Sequence, residues 1–431
     1  MKKPFILLCL ICLIFLMTSP LMAGGVDNRS NYSAEYIRTL NRNAATDSID
    51  IIAYNPAGVM VMEDGLYANI SLHYVGKDYT NTVNGQALEQ DTPSVVPGLF
   101  ALYKKDKWAG FFSLTIPAGG GKVEYESGNA TTRVGATILM NQINALAGAA
   151  VYGTIGNERL EGEGIYYGFT LGGAYKFNDI ISASLAVRYI DAQRKANAAF
   201  QLTPTALGVL AGMPTRIAIL DYEEDADGVG LIMGLNIAKG PFNIGIRYET
   251  VTVLDFQYTV NQDTITGLPA GLGAAQGILN GARHPRNLPA VFGFGIGYSL
   301  FPNLRFDANY TIYSQSNADW GGAEVNVDNG WEAGISMEYI FNESLKASIG
   351  YLYTDTGMEA QYMLNEVPEL NADSFGAGLV YKWNPNLETT FGVGMVSYDS
   401  DSYINTSSGT PLVIGFEKDV FFVALGMQYK F

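Results

Sequence analysis

The sequence predicts an all-β protein: a 14-stranded antiparallel transmembrane β-barrel with a small N-terminal helical hatch that plugs its lumen. Three observations lead to this prediction. Fourteen segments alternate between apolar and polar residues, the connections between them are alternately short and long, and the chain ends on an aromatic residue, Phe431. The composition agrees, because 27 Tyr and 49 Gly with only 2 Cys are typical of a large β structure without disulfide bonds.

The first 23 residues have the pattern of a secretory signal peptide. Two lysines precede an apolar run from Phe5 to Met17, and cleavage is expected after Ala23. A transmembrane anchor is the alternative, but the run is short for a bilayer span. Both cysteines, Cys9 and Cys12, lie in this run, so the processed chain is expected to contain no cysteine.

Residues 24–63 precede the first strand and are predicted to form the hatch. Ser33 is a suitable N-cap for a helix over Ser33–Ala44. Further on, Asn55-Pro56-Ala57-Gly58 breaks the backbone in the middle of apolar sequence, where a surface turn is not expected. Fourteen strands enclose more space than their inward side chains fill. We therefore predict that this apolar segment folds inside the barrel as a plug.

Residues 64–431 are predicted to form the barrel, because alternation with a period of two indicates a strand with one apolar face. In Trp331–Tyr339, for example, Ala333, Ile335 and Met337 share one face. The predicted strands are 65–80, 93–103, 107–116, 164–175, 180–194, 227–238, 242–260, 287–299, 303–316, 327–340, 343–356, 372–382, 386–402 and 416–431. A closed barrel leaves no sheet edge unpaired in hydrocarbon.

Tyrosines recur immediately before the short turns, as expected for an aromatic girdle at the periplasmic side of an outer membrane. These residues are Tyr103, Tyr175, Tyr298, Tyr339 and Tyr381. A soluble β-sandwich, the alternative fold, also has alternating strands but does not explain this girdle or the strand length. The short turns are therefore assigned to the periplasm and the long connections to the cell exterior.

The long connections contain apolar segments that could each form a short helix: 138–146, 206–213 and 268–279. Exposed apolar patches on outside loops commonly bind ligands. The residues predicted to capture a substrate are Ile138, Leu139, Ile143, Leu146, Leu207 and Leu210. The alternative is that these segments only pack against one another.

Four cationic residues on the inward face are candidates for binding a carboxylate: Arg188, Arg247, Arg305 and Lys346. Arginine suits a carboxylate because its planar fork donates two parallel hydrogen bonds. The alternative is that these cations pair with acidic residues across the lumen, namely Glu249, Asp307, Glu332 and Glu338.

No pattern in the sequence indicates catalysis. His73 and His284 are the only candidate histidine bases, and neither belongs to a recognisable set of nucleophile, base and orienting group. The acidic run 223–227 lacks the spacing of a calcium loop and is expected to be a solvated extracellular run. We expect no catalytic residue, no cofactor and no metal. A formal net charge of −16 also argues against nucleic acid as a partner.

The stretch Tyr54–Gly58, the preceding Leu40–Ala45 and the C-terminal Tyr429-Lys430-Phe431 resemble the long-chain fatty acid transporter (FadL) family of Gram-negative outer membranes. That family also includes channels for aromatic hydrocarbons. The resemblance covers the whole processed chain. It implies a hatch that plugs the barrel, with Asn55, Pro56, Ala57 and Gly58 at its periplasmic side.

The resemblance also implies an inward kink in the third strand, by position residues 108–116, that opens a lateral door into the bilayer. The residues placed at this door are Phe111, Ile116, Pro117 and Gly119. At the C-terminus, Tyr429 and Phe431 are expected to form an assembly signal for the barrel assembly machinery.

The function implied is passive uptake of hydrophobic small molecules by a protein that sits in outer-membrane lipid and is expected to be a monomer. Long-chain fatty acids are the first expected substrate class and aromatic hydrocarbons the second. A general porin and a surface adhesin are the alternatives of a different class. A porin requires an unplugged lumen, and an adhesin would act through its long loops.

Overall fold

The computed structural model of the protein describes residues 32–431. The expected signal peptide and the first residues of the expected hatch lie outside this range. Within it, eighteen β-strands form one antiparallel sheet. They are β1 (Gly65–Val83), β2 (Gln86–Gln90), β3 (Ser94–Lys105), β4 (Trp108–Tyr125), β5 (Tyr152–Lys176), β6 (Ile181–Pro204), β7 (Arg216–Lys239), β8 (Phe242–Glu249), β9 (Asp255–Ile265), β10 (Arg283–Pro285), β11 (Val291–Phe301), β12 (Leu304–Tyr313), β13 (Gly330–Ile340), β14 (Leu345–Asp355), β15 (Ala372–Asn384), β16 (Leu387–Tyr398), β17 (Asp401–Asn405) and β18 (Leu412–Lys430).

Fourteen of these strands make the wall of a closed barrel. The sheet closes where β1 pairs with β18, from Tyr67 opposite Lys430 to Val83 opposite Ile414. The wall passes directly from β8 to β11, which pair from Glu249 opposite Val291. The strands β2, β9, β10 and β17 are extra pieces within the long connections. The 14-stranded antiparallel barrel predicted from the alternation is therefore confirmed.

Two details of the strand prediction were wrong. The predicted strand 242–260 is two elements, since β8 ends at Glu249 and β9 pairs with the outer part of β7. The strands β5, β6 and β7 are also longer than predicted, at 25, 24 and 24 residues. Consequently the acidic run 223–227 is part of β7, where Glu224 is buried and faces inward, and is not a solvated loop.

The outward face of the wall is apolar, and aromatic rings collect at the short-turn end. On β18, for example, Phe421 and Leu425 are exposed. Aromatic pairs at the short-turn end place ring centroids 4.4 to 4.9 Å apart, and they include Trp108–Tyr175, Tyr339–Phe341, Tyr381–Trp383 and Phe242–Tyr298. This is the arrangement of a barrel that meets hydrocarbon around its middle and a polar interface at its ends.

The α-helices are α1 (Ala34–Ile37), α2 (Ala130–Ala147) and α3 (Ala206–Leu210). The 3-10 helices are Ile49–Ala53, Pro56–Val61, Ala274–Gln276, Gln315–Asn317, Ala323–Asn326 and Ala360–Tyr362. In the described part of the chain, no helix is long and apolar enough to cross a membrane.

Two of the expected helices differ from the observed ones. The Ser33 side chain accepts a hydrogen bond from the Tyr36 amide, as an N-cap should, but α1 ends at Ile37. It stops early because Leu40 adopts φ 53°, the left-handed conformation common just after a helix. The segment 268–279 contains only the 3-10 turn Ala274–Gln276, because its glycines and proline disfavour a longer helix.

Residues 32–63, here called the N-terminal segment, lie inside the barrel, and their apolar side chains belong to the largest buried cluster of the described chain. Inward-facing glycines let the segment approach the wall. A Cβ at Gly245 would lie 1.8 Å from the Asn43 carbonyl oxygen, and one at Gly350 would lie 1.9 Å from that of Thr39. A larger residue at either position would push the segment away.

Candidate functional site

The Asn55–Gly58 motif packs against the inner faces of β6 and β7. The Asn55 side-chain amide donates to Asn236 Oδ1 at 3.0 Å, and Ser182 Oγ donates to the Ala57 carbonyl at 2.9 Å. Asn55, Pro56, Ala57 and Gly58 are all buried. The backbone is irregular at this motif, so a main-chain group of the N-terminal segment, the Ala57 carbonyl, can accept a hydrogen bond from a polar residue of the wall. Its role in gating stays a prediction.

A network of charges ties the N-terminal segment to the wall at β13 and β14. Asp47 accepts from Arg38 at 2.7 Å, from Arg42 at 2.8 Å and from Lys346 of β14 at 2.6 Å. Arg38 also pairs with Glu338 of β13. Burial alone would raise the pKa of the Asp47 carboxyl, but the charges of Arg42, Lys346 and Arg38 hold it well below its usual range.

The four cations proposed to bind a carboxylate all have acidic partners within the protein. The pairs are Arg188–Glu249 at 2.6 Å, Arg247–Glu249 at 3.3 Å, Arg305–Asp307 at 2.8 Å, Lys346–Asp47 at 2.6 Å and Lys346–Glu338 at 3.2 Å. Glu332 instead accepts from the Tyr313 hydroxyl at 2.7 Å. The geometry therefore agrees with the alternative expectation, in which these cations pair with acidic residues of the protein. A role in carboxylate binding stays a prediction.

Three of these cations contact the N-terminal segment. Lys346 does so through Asp47, Arg305 donates to the Ala44 carbonyl at 2.6 Å, and Arg247 donates to the Ala53 carbonyl. Because an arginine or lysine that bridges two polymer segments fixes their relative position, these side chains hold the N-terminal segment in the lumen.

The barrel wall separates between β3 and β4 at the long-loop end. Pairing of these strands runs from Lys105 opposite Trp108 to Leu99 opposite Leu114 and then stops. The remaining residues of β3 pair only with β1, and those of β4 only with β5. The pairing of β4 with β5 is itself irregular, with register shifts between Thr115 and Gly121. The wall therefore has a gap beside the second half of β4.

The sequence of β4 explains this gap. Pro117 has no backbone N–H to donate to a neighbouring strand. Gly119 and Gly121 have φ of 95° and 70°, which residues with side chains rarely adopt. Of the predicted door residues, Ile116, Pro117 and Gly119 lie at the gap, whereas Phe111 is buried lower down in the cluster of the N-terminal segment. Opening of the gap to lipid stays a prediction.

Two small cavities lie inside the barrel against the glycines of β4. One, of about 40 Å³, is lined mainly by apolar and aromatic side chains together with the ammonium group of Lys77; its lining includes Val75, Lys77, Tyr79, Ser94, Ile116, Gly119, Tyr398 and Phe422. The other, of about 30 Å³, is lined by Gly120 and Gly121 on one side and by Arg194 and Tyr222 on the other. The guanidinium of Arg194 is 3.0 Å from Glu224.

Neither Lys77 nor Arg194 was among the residues predicted for the site. A signal for Lys77 was present, because it shares the face of β1 on which Asn69, Ser71 and His73 alternate, and that face points inward. For Arg194, the predicted strand ended at that residue, so its inward orientation had no support from following residues.

The six expected capture residues fall into three groups by exposure. Ile138 and Leu139 of α2 are buried, in two different apolar clusters of the long-loop end. Ile143 is half-buried, whereas Leu146, Leu207 and Leu210 are 50, 51 and 86 % exposed. α2 thus covers the inner face of the long strands, and the exposed apolar surface is concentrated near α3. Substrate capture by these residues stays a prediction.

The C-terminal strand ends against the first. The Phe431 amide donates to the Leu66 carbonyl at 2.8 Å, and the rings of Tyr429 and Phe431 are 4.9 Å apart. Both rings face outward, 39 and 69 % exposed. Their expected role as an assembly signal is compatible with this exposure and stays a prediction.

The fold is similar to several solved barrels. A FadL homologue from Pseudomonas aeruginosa matches with a TM-score of 0.67 at 14% identity, covering 96% of this chain and 100% of that chain. The toluene transporter TodX from P. putida matches with 0.64 at 14%, covering 94% and 99%, and the toluene transporter TbuX from Ralstonia pickettii with 0.64 at 15%, covering 94% and 100%. At these identities the likeness shows the fold.

Comparison with curated proteins found no match. A family model, in contrast, matches residues 165–431, which is more than half of the chain. Its description is outer membrane protein transport protein (OMPP1/FadL/TodX). This family, whose members are outer-membrane β-barrel transport channels of Gram-negative bacteria, is the one that the barrel, the N-terminal segment and the motif Asn55–Gly58 resemble. The chain belongs to the OMPP1/FadL/TodX family of outer membrane transport proteins.

Proposed function

We propose that this protein is a passive channel for hydrophobic compounds and not an enzyme, with long-chain fatty acids as its first substrate class and aromatic hydrocarbons as its second. The observation that carries the proposal is the cavity next to the gap between β3 and β4, lined by apolar and aromatic residues together with Lys77, above a lumen that the N-terminal segment fills. An apolar molecule gains roughly 0.8 kcal/mol for each methylene that it buries on leaving water.

The proposed route has three steps. Exposed apolar residues near α3 collect the molecule, the luminal cavities receive it, and it leaves through the gap in the wall or past a rearranged N-terminal segment. The N-terminal segment serves as the hatch, with Asn55–Gly58 at its periplasmic side. The relatives whose names mention toluene transport support the second substrate class.

Fatty acids are placed first because the ammonium group of Lys77 lines the larger cavity. In the smaller cavity Arg194 is paired with Glu224 and gives no comparable support. A monoaromatic hydrocarbon interacts with a buried cation only through the face of its ring, in a cation–π contact. A carboxylate, in contrast, forms charge-assisted hydrogen bonds with the cation.

Uptake of radiolabelled oleate tests this proposal. Cells that carry the protein in the outer membrane should take up oleate faster than matched cells that lack it, and uptake of radiolabelled toluene should rise less. Equal oleate uptake in both strains would refute the first substrate class. If toluene alone is taken up faster, the second class replaces it.

A planar-bilayer measurement separates the proposal from a general porin. The filled lumen should give little steady ion current. A large steady current from the full-length protein would favour the porin and contradict the plugged channel.

A further inference from the structure

The ammonium group of Lys77 holds the irregular part of β4 in place. Lys77 lies on β1 with its side chain inside the barrel, 3 % exposed. Its Nζ donates to Ser94 Oγ at 2.8 Å, to the Gly120 carbonyl at 2.8 Å and to the Lys122 carbonyl at 2.7 Å. An ammonium has three N–H donors, so these three bonds use all of them.

The two carbonyls belong to the part of β4 that has lost its pairing with β3. In a regular sheet, half of such groups would accept from the next strand, and a buried carbonyl without a donor is costly. Here the Lys77 side chain crosses the inner face of the sheet from β1 and supplies the donors that β3 does not. Ser94 of β3 adds a weaker bond to the Gly120 carbonyl at 3.3 Å.

The positive charge of Lys77, in contrast, is not balanced by a carboxylate in the described part of the chain. Its three partners in the described part of the chain are neutral, whereas Lys104, Lys122 and Lys346 each hold a carboxylate, at 2.5, 3.0 and 2.6 Å. A second ammonium, Lys418, is near the same cavity. It lies 4.9 Å from the ring centroid of Tyr79 and 4.4 Å from that of Tyr398, and both rings line the cavity. An anion entering the cavity therefore meets the charge of Lys77, which no carboxylate among the described residues balances.

The size of the cavity determines what must move. About 40 Å³ is enough for on the order of two or three waters, but it is too small for an acyl chain. Binding of a molecule with an apolar tail thus requires the glycine segment of β4 to shift. The same three donors of Lys77 that hold this segment are the ones a carboxylate would take.

We propose that Lys77 couples the arrival of a carboxylate head group to release of the glycine segment 119–121, and so makes passage selective for apolar molecules that carry a carboxylate. This rests on the proposed function of the protein as a channel for hydrophobic compounds. A carboxylate oxygen replaces the carbonyls of Gly120 and Lys122 as acceptor because it brings the ammonium a counter-charge, which the neutral carbonyls do not supply. The freed segment then widens the gap between β3 and β4.

The test compares two probes with the same chain, radiolabelled oleate and radiolabelled oleyl alcohol, for transport by purified protein in lipid vesicles. Lys77→Met should lower the ratio of oleate to oleyl alcohol transport about tenfold relative to the wild type, as expected for loss of a charge-assisted hydrogen bond. Transport of oleyl alcohol should stay the same or increase. Lys122→Met is the matched control, because the Lys122 ammonium pairs with the half-exposed Glu124 and Glu161 on the outside of the cavity and only its carbonyl meets Lys77.

Lys77→Gln separates the two roles, because its amide keeps two donors for the carbonyls but has no charge. It should retain the fold and still lose the preference for oleate, and it replaces Lys77→Met if that variant does not assemble. An unchanged ratio of oleate to oleyl alcohol transport in a folded variant, or equal slowing of both probes, would overturn the role of Lys77. If the wild type transports neither probe faster than protein-free vesicles, the proposed function itself fails.

A distance measurement supplies a second readout. Residues 32–431 contain no cysteine, so spin labels can be placed through Asp91→Cys and Glu126→Cys, both exposed and on the two sides of the gap. In the wild-type background oleate should change the distance between the labels and oleyl alcohol should not. With Lys77→Met the changed distance should be present without ligand. A distance that does not respond to oleate would contradict the coupling.

Discussion

At the scale of single residues, the sequence predicted which charged residues face the inside of the barrel, but it did not predict which of them form ion pairs with one another. Alternation assigned Arg188, Arg305 and Lys346 to the inward face, and that is where they lie. Their partners depend on the strand register and on how the N-terminal segment folds back. The contact between Lys346 and Asp47, for instance, joins residues 299 apart in the chain. Periodicity carries no information about such a pair.

Replacing Asp47 should loosen the N-terminal segment. Asp47→Asn leaves Arg38, Arg42 and Lys346 without their shared counter-charge, and we expect a loss of about 2 kcal/mol, moderated because Asp47 is 27 % exposed. Hydrogen exchange of the amides of residues 34–60 should become faster. Asp179→Asn, which removes only an exposed pair with Lys176, is the control and should change nothing.

The same carboxylate predicts a dependence on pH. Because the pKa of Asp47 is lower in the folded protein than in the unfolded chain, its stabilisation is complete above the unfolded pKa of about 4 and is lost as the pH falls through the folded value. Conductance in planar bilayers should therefore stay constant from pH 7 to about pH 4 and rise progressively as the pH is lowered further. The Asp47→Asn variant should show a smaller change; an equal change in both proteins would assign the effect to other groups.

At the scale of elements, alternation predicted the wall strands where one face meets hydrocarbon and failed where that condition ends. Above the membrane, both faces of β5–β7 carry polar residues, such as Glu163, Gln193 and Asp225, and the extensions of these strands therefore had the composition of loops. The end of β8 was missed for the opposite reason, since residues 250–254 continue the alternation although the regular pairing of β8 with β7 ends at Glu249. The gap beside β4 was expected only from the family resemblance, although its proline and glycines are visible in the sequence.

The glycines of β4 give a test of the kink. Gly121→Ala should force a strained φ and bring its Cβ to 2.2 Å from Ser94 Oγ, which corresponds to a cost of roughly 1–3 kcal/mol. We expect the glycine segment to move, and oleate uptake to change at least twofold, while the barrel still assembles. Gly110→Ala is the matched control on the same strand, because nothing lies within 4 Å of its added Cβ. Equal uptake by both variants would contradict a role for the kink.

The exposed surface near α3 gives a second test. Changing Leu207, Val209 and Leu210 to serine should raise the oleate concentration needed for half-maximal uptake and leave the maximal rate unchanged, because only collection of substrate is weakened. Val325→Ser removes a comparably exposed apolar residue from another loop, and it serves as the control. A fall in maximal rate at unchanged half-saturation would place these residues elsewhere in the route.

At the scale of the whole molecule, the barrel wall and the N-terminal segment inside it are held in place by different kinds of interaction. The wall is held by pairing around a closed sheet, whereas the N-terminal segment is held by side-chain bonds and by apolar packing in the lumen. The position of a plug inside the barrel followed from sequence because an apolar segment before fourteen strands has few other places to be buried. Which wall residues it touches did not follow.

Removing residues 34–61 should therefore convert the protein into an ion-conducting pore without unfolding the wall. Inward polar residues such as Asn243, Arg247 and Arg305 would then line water. Planar-bilayer recordings should show a steady current that the full-length protein lacks. If the shortened protein stays closed, the loops at the long-loop end, and not the N-terminal segment, block the lumen.

The length of β5, β6 and β7 has a consequence for where uptake begins. A tilted strand needs about 9–11 residues to cross a bilayer, and each of these has 24 or 25, roughly 80 Å of chain at 3.3 Å per residue. More than half of that length stands outside the lipid, and the 86 % exposed Leu210 is near its tip. If the protein is the channel proposed above, hydrophobic molecules collected near α3 are met well outside the lipid, and they travel the remaining distance to the membrane along protein.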